Sequence, residues 1–531
     1  MKFHPLVLAI MSDSLHNSFS KSFTGRPPRK AGHYTMVNSN DADARKLAEL
    51  GYKQEFDRKW SGFHNFAISF SIISILSGCF TTFAQAWNNG GPVAISVGWP
   101  IIASLIMIIG LTMAELVSAM PTAGGIYYWA LNLGKPIHGW LTGWLNLLGL
   151  VTVTAGVDYG FANFFTYAMS KYTSAFDPGN LKTIFLVFFV TILIHIMMNI
   201  WGATFIHKLQ GINVWVHVFG VAAIILIFVL IPTHHQSAQW VFTHQINNSG
   251  FSHRAFWIYV LPLGFLLTQY TITGFDASAH VSEETGQAGK AAAQGLWKSI
   301  AYSAVAGWIL LLSFLFAAND EAAITKGGGS VLGLIDSSVS GGWAKIIMII
   351  TCLGQFFCGM SCVTAGSRML FAFSRDRAVP GHKYWTKLDE NKNPSHAAFG
   401  LGAAAIIVTV PALWSAVAFF AVTSMAVIGL FGSFAIPIYL RWRKGDSFVQ
   451  GEWNLGKKWK WMAPIAVLEI VIISIYFIMP TTPAGVWWGK GFDIKAANYT
   501  PVGFLIVIGG ALLWWALGAK NHFKGAVRTL D

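Results

Sequence analysis

The chain has 531 residues, of which 54% are hydrophobic and only 11% are charged. So few charges cannot coat a soluble surface of this size, which excludes a soluble globular protein and leaves most of the chain facing lipid. The formal net charge of +13 does not indicate a nucleic-acid partner, because the basic residues alternate with apolar stretches instead of forming one patch.

About twelve apolar stretches follow one another along the chain, each near the ~20 residues that a membrane-spanning helix needs. They predict one all-α transmembrane domain over residues 61–520, between a polar tail of residues 1–60 and a short tail of residues 521–531. The predicted spans are 63–87, 93–119, 136–168, 181–200, 208–231, 255–281, 297–318, 342–373, 396–412, 415–440, 460–479 and 501–519.

Lysine and arginine concentrate in the N-terminal tail and in alternate loops between the spans. With the N-terminus inside, most of these residues lie on the cytoplasmic side, whereas the reverse orientation inverts the pattern. We therefore expect a multi-pass protein of the plasma membrane with both termini in the cytoplasm.

Two spans carry polar, glycine-bearing interruptions. The first contains Ser74-Ile75-Leu76-Ser77-Gly78, and the sixth contains Thr271-Ile272-Thr273-Gly274-Phe275-Asp276. Such a break frees backbone groups that need partners in protein, water or ligand. Breaks five helices apart are where two inverted five-helix repeats place matching interruptions, which indicates a carrier with a binding site at the membrane midplane. For either break alone, close helix packing by small residues is the alternative.

Four separated motifs are more specific than these spacings. They are Glu55–Trp60 leading into Asn65–Ser74, Ala114–Trp129 after the second span, Ser282–Thr285 after the sixth, and Ser367–Asp376 at the end of the eighth. In order and context they resemble the amino acid–polyamine–organocation superfamily of permeases, most closely its amino acid/choline branch. The resemblance implies about 12 transmembrane helices in the leucine-transporter-like fold, with five-plus-five inverted repeats, helices 1 and 6 broken, and two further C-terminal helices.

The function implied by this resemblance is secondary transport of amino acids or related small amines, including GABA and polyamines, by alternating access. Choline or another quaternary amine is an alternative substrate, and a sensor derived from a permease is an alternative role. A membrane enzyme is disfavoured, because His234-His235 lies in a polar loop without a metalloprotease or nucleophile-elbow motif beside it.

The expected partners are a small amino acid or amine substrate and the lipid bilayer, with no nucleic acid. We expect a monomer or a weak homo-oligomer. No cofactor is expected beyond a coupling ion, H+ or Na+. The four cysteines lack the spacing of a zinc site or a disulfide framework, so no metal site is predicted.

The substrate site implied by the resemblance lies at the two breaks. Half-helix N-termini expose N–H groups for a carboxylate, and unwound carbonyls accept from an ammonium group. We expect the amides of Ser77, Gly78 and Cys79 to bind the carboxylate. Phe275 matches a position where family members often carry a shielding aromatic, with core packing as the alternative. The remaining predicted site residues are Ser74, Ile75, Tyr270, Thr271, Thr273 and Gly274.

Two aspartates lie at membrane depth. Asp158 is well inside the third span, where a carboxylate is costly and functional by default. Its sequence context leaves two roles open, a counter-charge for the substrate amine or a buried acceptor for a neighbouring Tyr or Trp. Asp276 follows the break in the sixth span, where we expect it to cap the second half of the helix, with a counter-charge for the substrate as the alternative.

The coupling ion has two sets of candidate residues. His217 lies inside the fifth span, and a histidine titrates near neutral pH, so it is a candidate for proton coupling. Some superfamily members carry a lysine near this level, but the nearest lysine here, Lys208, is at the start of the helix. Sodium needs oxygen ligands, for which Ser361 and Thr364 of the eighth span are candidates. A histidine held by hydrogen bonds in the bundle is the alternative for His217.

Charged residues also fall at the predicted cytoplasmic ends of the spans. We expect Glu115, Arg368 and Arg375 to gate the inner vestibule through ion pairs with Glu283 or Glu284. Ordinary interfacial charges whose heads reach water are the alternative.

Overall fold

The computed structural model describes residues 39–201, 203–415 and 417–527. Residues 1–38 of the predicted N-terminal tail and 528–531 of the C-terminal tail lie outside these ranges. Eleven helices of the described chain are long and apolar enough to cross a membrane. Numbered as spans 1–5 and 7–12, they are Gly62–Thr81, Pro92–Ala119, Pro136–Ser170, Leu181–Ile200, Lys208–Leu230, Ala288–Ala317, Gly341–Arg375, Ser395–Leu413, Val417–Ser447, Trp459–Ile478 and Thr500–His522.

Span 6 is divided into short segments. Its first half contains a π-helical turn, Phe256–Val260, and the helices Leu261–Gly264 and Leu266–Thr271. Its second half is the helix Ala277–His280, followed by the 3-10 turn Ser282–Glu284. None of these pieces is long enough to count among the eleven spans. Together the twelve segments confirm the predicted all-α fold of about twelve helices.

Several other spans are composite. Span 1 consists of Gly62–Ile73 and Ile75–Thr81, which we call spans 1a and 1b. Span 2 joins Pro92–Ser96 to Gly98–Ala119, and span 5 is the part Lys208–Leu230 of the longer helix Ala203–Leu230. Spans 9 and 10 are the helices Ser395–Thr409 and Val417–Lys444 with 3-10 ends, Val410–Leu413 and Gly445–Ser447. Span 12 runs through Thr500–Phe504, Leu505–Gly509, Gly510–Trp514, Trp515–Ala519 and Lys520–His522.

Short elements connect the spans. A two-stranded antiparallel ladder pairs Asn89–Gly90 with Ile246–Asn247. The connecting helices are Ser39–Glu49, Phe83–Asn88, Gly125–Leu133, Ala238–Thr243, Glu321–Lys326, Val331–Ser338 and His382–Trp385, with 3-10 turns at His253–Ala255, Pro483–Gly485 and Ile494–Ala496.

Burial separates the core spans from the peripheral ones. In spans 1 and 3, 83% of the most apolar 18-residue window is buried, against 33% in span 11 and 17% in span 12. Because water is absent from the bilayer core, a polar break is tolerated only where protein surrounds it. Span 1 is therefore placed where its break can face other helices, whereas spans 11 and 12 present apolar side chains outward.

The described part of the N-terminal tail packs against one end of the bundle. Leu47, Tyr52, Phe56 and Trp60 are buried. The Trp60 N–H donates to the Glu284 carbonyl at 2.9 Å, and the Gly286 N–H donates to the Trp60 carbonyl at 3.1 Å. We call this end, with the turn Ser282–Glu284 and the C-terminal end of span 8, the N-terminal face.

Candidate substrate-binding and coupling sites

The two breaks touch each other. Ser74 has φ +21° between spans 1a and 1b, and Gly274 has φ +77° within span 6. A Cβ added at Gly78 lies 2.6 Å from the Cα of Thr271, and one at Gly274 overlaps Ile72. Real Cβ atoms do not approach backbone so closely, so glycine is required at both positions. The structure thus brings the predicted residues of spans 1 and 6 into direct contact.

The amides at the start of span 1b differ in availability. The Ser77 and Gly78 N–H groups both donate to the Ser74 carbonyl, at 2.8 and 2.9 Å. The first two residues of the half-helix, Ile75 and Leu76, have no intrahelical acceptor for their N–H groups. In this structure the free amides are therefore those of Ile75 and Leu76. The predicted donors Ser77 and Gly78 are engaged, because the turn that follows Ser74 closes on them.

Buried polar atoms without a hydrogen-bond partner surround the breaks. A buried hydroxyl, amide or carboxylate left unpaired costs free energy unless water or a ligand completes it. Within the described chain, such atoms on spans 1, 3, 6, 8 and 10 include Ser77 Oγ, Thr81 Oγ1, Asp158 Oδ1, Tyr270 OH, Thr273 Oγ1, Asp276 Oδ1, Gln355 Oε1 and Nε2, and Ser424 Oγ. Thr81, Gln355 and Ser424 were not predicted, since polar residues of these types are ordinary in membrane helices.

Glycines of span 3 bring several of these atoms together. A Cβ added at Gly156 lies 2.5 Å from the Tyr270 hydroxyl. One turn further, a Cβ at Gly160 lies 2.8 Å from Thr81 Oγ1 and 3.3 Å from Gln355 Oε1. These glycines of span 3 allow close helix packing. They also lie where spans 1, 6 and 8 present unpaired polar groups.

Asp158 is fully buried and pairs with a histidine. Its Oδ2 lies 3.1 Å from Nδ1 of His195 in span 4, while Asp158 Oδ1 and His195 Nε2 have no partner in the described chain. The predicted Tyr or Trp donor is wrong, since the observed donor is His195. A histidine amid the apolar residues of span 4 was a signal that the sequence interpretation did not use.

His217 joins the break in span 1. Its Nε2 lies 2.8 Å from Ser74 Oγ, and its Nδ1 lies 3.0 Å from the Asn213 carbonyl. Because a carbonyl only accepts, Nδ1 carries the hydrogen and Nε2 accepts from the Ser74 hydroxyl. A neutral imidazole satisfies both contacts.

The hydroxyls predicted for sodium are already engaged. Ser361 Oγ accepts from Gln210 Nε2 at 2.6 Å and donates to the Phe357 carbonyl. Thr364 Oγ1 bonds to Asn199 Oδ1 at 2.8 Å. Neither side chain is left unpaired in the way that the residues around the breaks are.

The predicted cap at Asp276 is wrong. Asp276 occupies the N-cap position of Ala277–His280, but its side chain makes no capping bond. Its Oδ2 instead accepts from Asn146 Nδ2 at 3.1 Å and lies 3.2 Å from Nε2 of His280. Both members of this Asp–His pair are fully buried.

Phe275 and the second half of span 6 are held by neighbouring helices. The Phe275 ring is buried against Phe431 and Phe434 of span 10. Ser69 of span 1a donates to the Phe275 carbonyl at 2.8 Å and accepts from the Ser278 N–H at 2.9 Å. The backbone immediately after the break is therefore fixed to span 1a.

The N-terminal face contains the predicted Arg–Glu contacts. Arg368 Nε donates to Glu284 Oε1 at 2.7 Å, and Arg375 contacts Glu283 Oε1 at 3.2 Å. Glu115 pairs with a different arginine, Arg441 of span 10, at 2.9 Å. The sequence did not identify Arg441, because 326 residues separate it from Glu115.

Asp376 forms hydrogen bonds with several segments of the chain at this face. Its Oδ2 accepts from the hydroxyls of Tyr52 and Tyr127 at 2.8 and 2.9 Å, and its Oδ1 accepts from the Val527 N–H at 3.0 Å. Burial raises the pKa of Asp376 above the usual value for a carboxyl, against the opposing charge of Arg375. The carboxylate therefore connects the N-terminal segment, the helix after span 2 and the C-terminal segment.

Comparisons with known proteins place the chain among transporters. A family model described as amino acid permease matches residues 61–509. The chain is 34% identical to amino-acid permease BAT1 of Arabidopsis thaliana, over 94% of this chain and 99% of that protein. It is 35% identical to the BAT1 homolog of Oryza sativa subsp. japonica, over 92% and 96% of the two chains. It is 29% identical to the GABA-specific permease of Saccharomyces cerevisiae, over 92% and 86%.

Proposed function

We propose a binding mode, a coupling ion and a location for this chain, which belongs to the amino acid permease family and is a secondary transporter of amino acids or related amines. Its relatives are permeases, so it is a transporter and not an enzyme. The predicted relation to the permease superfamily is confirmed.

The substrate, in this proposal, lies between the breaks of spans 1 and 6. The observation that carries the proposal is the set of unpaired buried polar atoms that spans 1, 3, 6, 8 and 10 contribute around those breaks. The amides of Ile75 and Leu76 receive the carboxylate, because they are the open N–H groups of span 1b. The amine is received by Asp158 Oδ1, which has no partner of its own, and by carbonyls of the span 6 break.

Amine-bearing substrates follow from this arrangement. A zwitterionic amino acid presents its carboxylate to the amides of span 1b and its amine to Asp158. GABA presents the same two groups, separated by a longer chain. The GABA-specific permease among the relatives supports including GABA in the substrate class. Choline, which has a quaternary ammonium head group but no carboxylate, contacts only the Asp158 side of the site, through charge and not through N–H donors.

The coupling ion, in this proposal, is H+. Ser361 and Thr364 are engaged with other side chains, which leaves little for Na+ at span 8. Among the side chains that the structure describes, three histidines are buried in the membrane core, His195, His217 and His280, each against a polar partner. The distribution of basic residues supports the plasma membrane with both termini cytoplasmic.

The experiment that tests the function is counterflow in proteoliposomes. Labelled alanine, glutamate, lysine, GABA and choline are offered separately to vesicles that contain the same compound unlabelled. We expect counterflow of at least one panel member, and its complete absence contradicts the assigned substrate class.

The same assay tests the site. Gly78→Leu forces a side chain into the Thr271 backbone, so we expect it to abolish counterflow while the protein remains in the membrane. Gly510→Leu is the matched control, because nothing lies within 4 Å of a Cβ at Gly510 in span 12. Normal transport by Gly78→Leu refutes the assignment of the site.

A further inference from the structure

The three buried histidines differ in what their two ring nitrogens face. For His217, one nitrogen meets a carbonyl and the other a hydroxyl, which donates or accepts as needed. For His195, one nitrogen meets Asp158 and the other meets no partner in the described chain. A neutral imidazole with a single N–H satisfies either ring.

His280 faces acceptors at both nitrogens. Its Nδ1 lies 3.1 Å from the carbonyl oxygen of Ala123, and its Nε2 lies 3.2 Å from Oδ2 of Asp276. A carbonyl oxygen and a carboxylate oxygen both accept hydrogen bonds. A neutral ring has only one N–H, so it satisfies only one of these contacts. Both contacts are hydrogen bonds only when a second proton is present, either on the ring or on the Asp276 carboxyl.

We propose that Asp276 and His280 together bind the transported proton. This inference rests on the proposed function, proton-coupled transport, and assigns that proton to a site in the second half of span 6. With the proton bound, the pair is neutral overall, either as imidazolium with carboxylate or as imidazole with carboxylic acid. When the proton leaves to water, the pair carries one negative charge.

The surroundings of the pair supply no other charge partner. Asn146 Nδ2 donates to Asp276, and no lysine or arginine contacts the pair within the described chain. The titratable or charged groups on elements packed against the pair are His64, Tyr127, Tyr128, His138, Asp158, Tyr159, Tyr167, Glu283, Glu284, Lys290, Lys298, Tyr302, Lys345, Cys352, Cys358, Cys362, Arg368 and Arg375. Two of the cations are paired elsewhere: Arg368 with Glu284, and Arg375 with Glu283. A buried charge without a partner is costly, which favours the neutral, proton-bound pair.

The proton also connects the break to the N-terminal face. The Ala123 carbonyl accepts from His280, and the Ala123 N–H donates to Glu283 Oε1 at 2.9 Å. Glu283 is in turn paired with Arg375. When the proton leaves, the ring keeps its bond to Asp276 or its bond to Ala123, but not both. Proton release therefore loosens a contact between span 6 and the loop after span 2, and proton binding holds this end closed.

The test compares two variants of the pair with a matched surface pair. His280→Gln and Asp276→Asn each remove the shared proton. His244→Gln is the control, since His244 Nε2 lies 2.9 Å from Glu321 Oε2 in a half-exposed His–carboxylate pair. Counterflow without a pH gradient is measured first, with the panel member that the unmodified protein carries. Accumulation is then measured under an inward proton gradient, with a pH-sensitive dye inside the vesicles.

We expect the pair variants to keep counterflow and to lose proton-driven accumulation. With a gradient of about one pH unit, coupling to one proton concentrates a neutral substrate about tenfold, since one unit corresponds to a tenfold equilibrium ratio. The unmodified protein and His244→Gln reach this level and acidify the vesicle interior. His280→Gln and Asp276→Asn reach only equal concentrations on both sides, without acidification.

Other outcomes overturn the inference. Proton-driven accumulation by His280→Gln at the unmodified level refutes the site, and so does its loss in His217→Gln alone. If the unmodified protein shows counterflow but no response to the proton gradient, the inference fails while the transport function stands. If it shows no counterflow, the proposed substrate class itself fails.

A milder variant covers the case in which both substitutions prevent folding. Asn146→Ala keeps both members of the pair and removes the amide that donates to Asp276 Oδ2 and to Ser433 Oγ. With one donor to the pair removed, the pH profile of proton-driven uptake should differ from that of the unmodified protein. An unchanged pH profile for this variant overturns the proposal.

Discussion

Two aspartate–histidine pairs lie fully buried in the core, and they differ in geometry. Asp158 and His195 join spans 3 and 4, and each keeps one polar atom without a partner. Asp276 and His280 lie one turn apart in a half-helix of span 6, where both ring nitrogens meet acceptors. The comparison teaches that the acceptors around the ring, rather than the presence of an acid beside it, decide whether a pair requires an extra proton.

The two pairs also differ in how their carboxylates are placed relative to a bound substrate. Asp158 has a free oxygen and stands near the helices that line the breaks, so it is available to a ligand amine. Asp276 Oδ1 also lacks a partner in the described chain, but its Oδ2 is shared between Asn146 and His280, on the side of the break toward the N-terminal face. In our proposals, Asp158 binds the substrate amine and the Asp276–His280 pair binds the proton.

The largest effect is expected from a substitution at Gly359, which packs against the Asp158–His195 pair. A Cβ at Gly359 of span 8 overlaps Asp158 Oδ1 and lies 2.7 Å from Cε1 of His195. Gly359→Ala should push the carboxylate from its position and lower transport on the order of 100-fold, as loss of a buried charge contact does. Counterflow measures the loss. Gly342→Ala on the same helix is the control, since nothing lies within 4 Å of its Cβ. Equal activity of the two variants contradicts a role for Asp158.

A smaller and selective effect is expected from Asp158→Asn, which keeps the shape of the side chain but removes its charge. Apparent affinity for cationic substrates should fall about 30-fold, equivalent to about 2 kcal/mol, because their amine loses its counter-charge. Neutral amino acids, which also use the amides of span 1b, should lose only a few-fold. Competition of the panel against the best substrate measures both. An equal loss for both classes identifies Asp158 as structural.

The smallest effect is expected from a substitution at Gly125, which lies next to His280 of the second pair. A Cβ at Gly125 meets Ala279 at 3.3 Å and His280 at 3.8 Å, so the pair itself has room. Gly125 has φ +43°, however, and an alanine there strains the backbone by about 1–2 kcal/mol. Gly125→Ala should therefore lower the thermal unfolding temperature while proton-driven accumulation is retained. Gly445→Ala, also at positive φ but with open surroundings, should show a similar shift. Loss of coupling in Gly125→Ala alone reveals tighter packing around His280 than the distances indicate.

The sequence predicted the overall fold and the two breaks because these depend on local composition. Apolar stretches of sufficient length mark the spans, and Gly78 and Gly274 mark the places where helices touch. Contacts between distant residues were not predictable in the same way. His195 meets Asp158 across 37 positions and Glu115 meets Arg441 across 326, so neither pairing follows from spacing within one helix.

Residue chemistry alone also misassigned some roles. Asp276 has the sequence context of a helix cap. Its carboxylate instead contacts Asn146 of span 3 and the His280 imidazole one turn later. The local sequence does not identify either residue as its partner. Similarly, the engaged amides of Ser77 and Gly78 follow from the exact turn at Ser74, which a break motif does not specify. Local sequence located these sites, but the packing of other spans determined which atoms remain available.

The convergence of the segments around Tyr52 and Val527 on Asp376 has a practical consequence for imaging. Tyr52 from the N-terminal segment and Val527 from the C-terminal segment bond to the two oxygens of one carboxylate. A label attached next to Tyr52 or next to Val527 therefore disturbs the same carboxylate. The loop around Gly491, between spans 11 and 12, has open surroundings and is a safer place for a label.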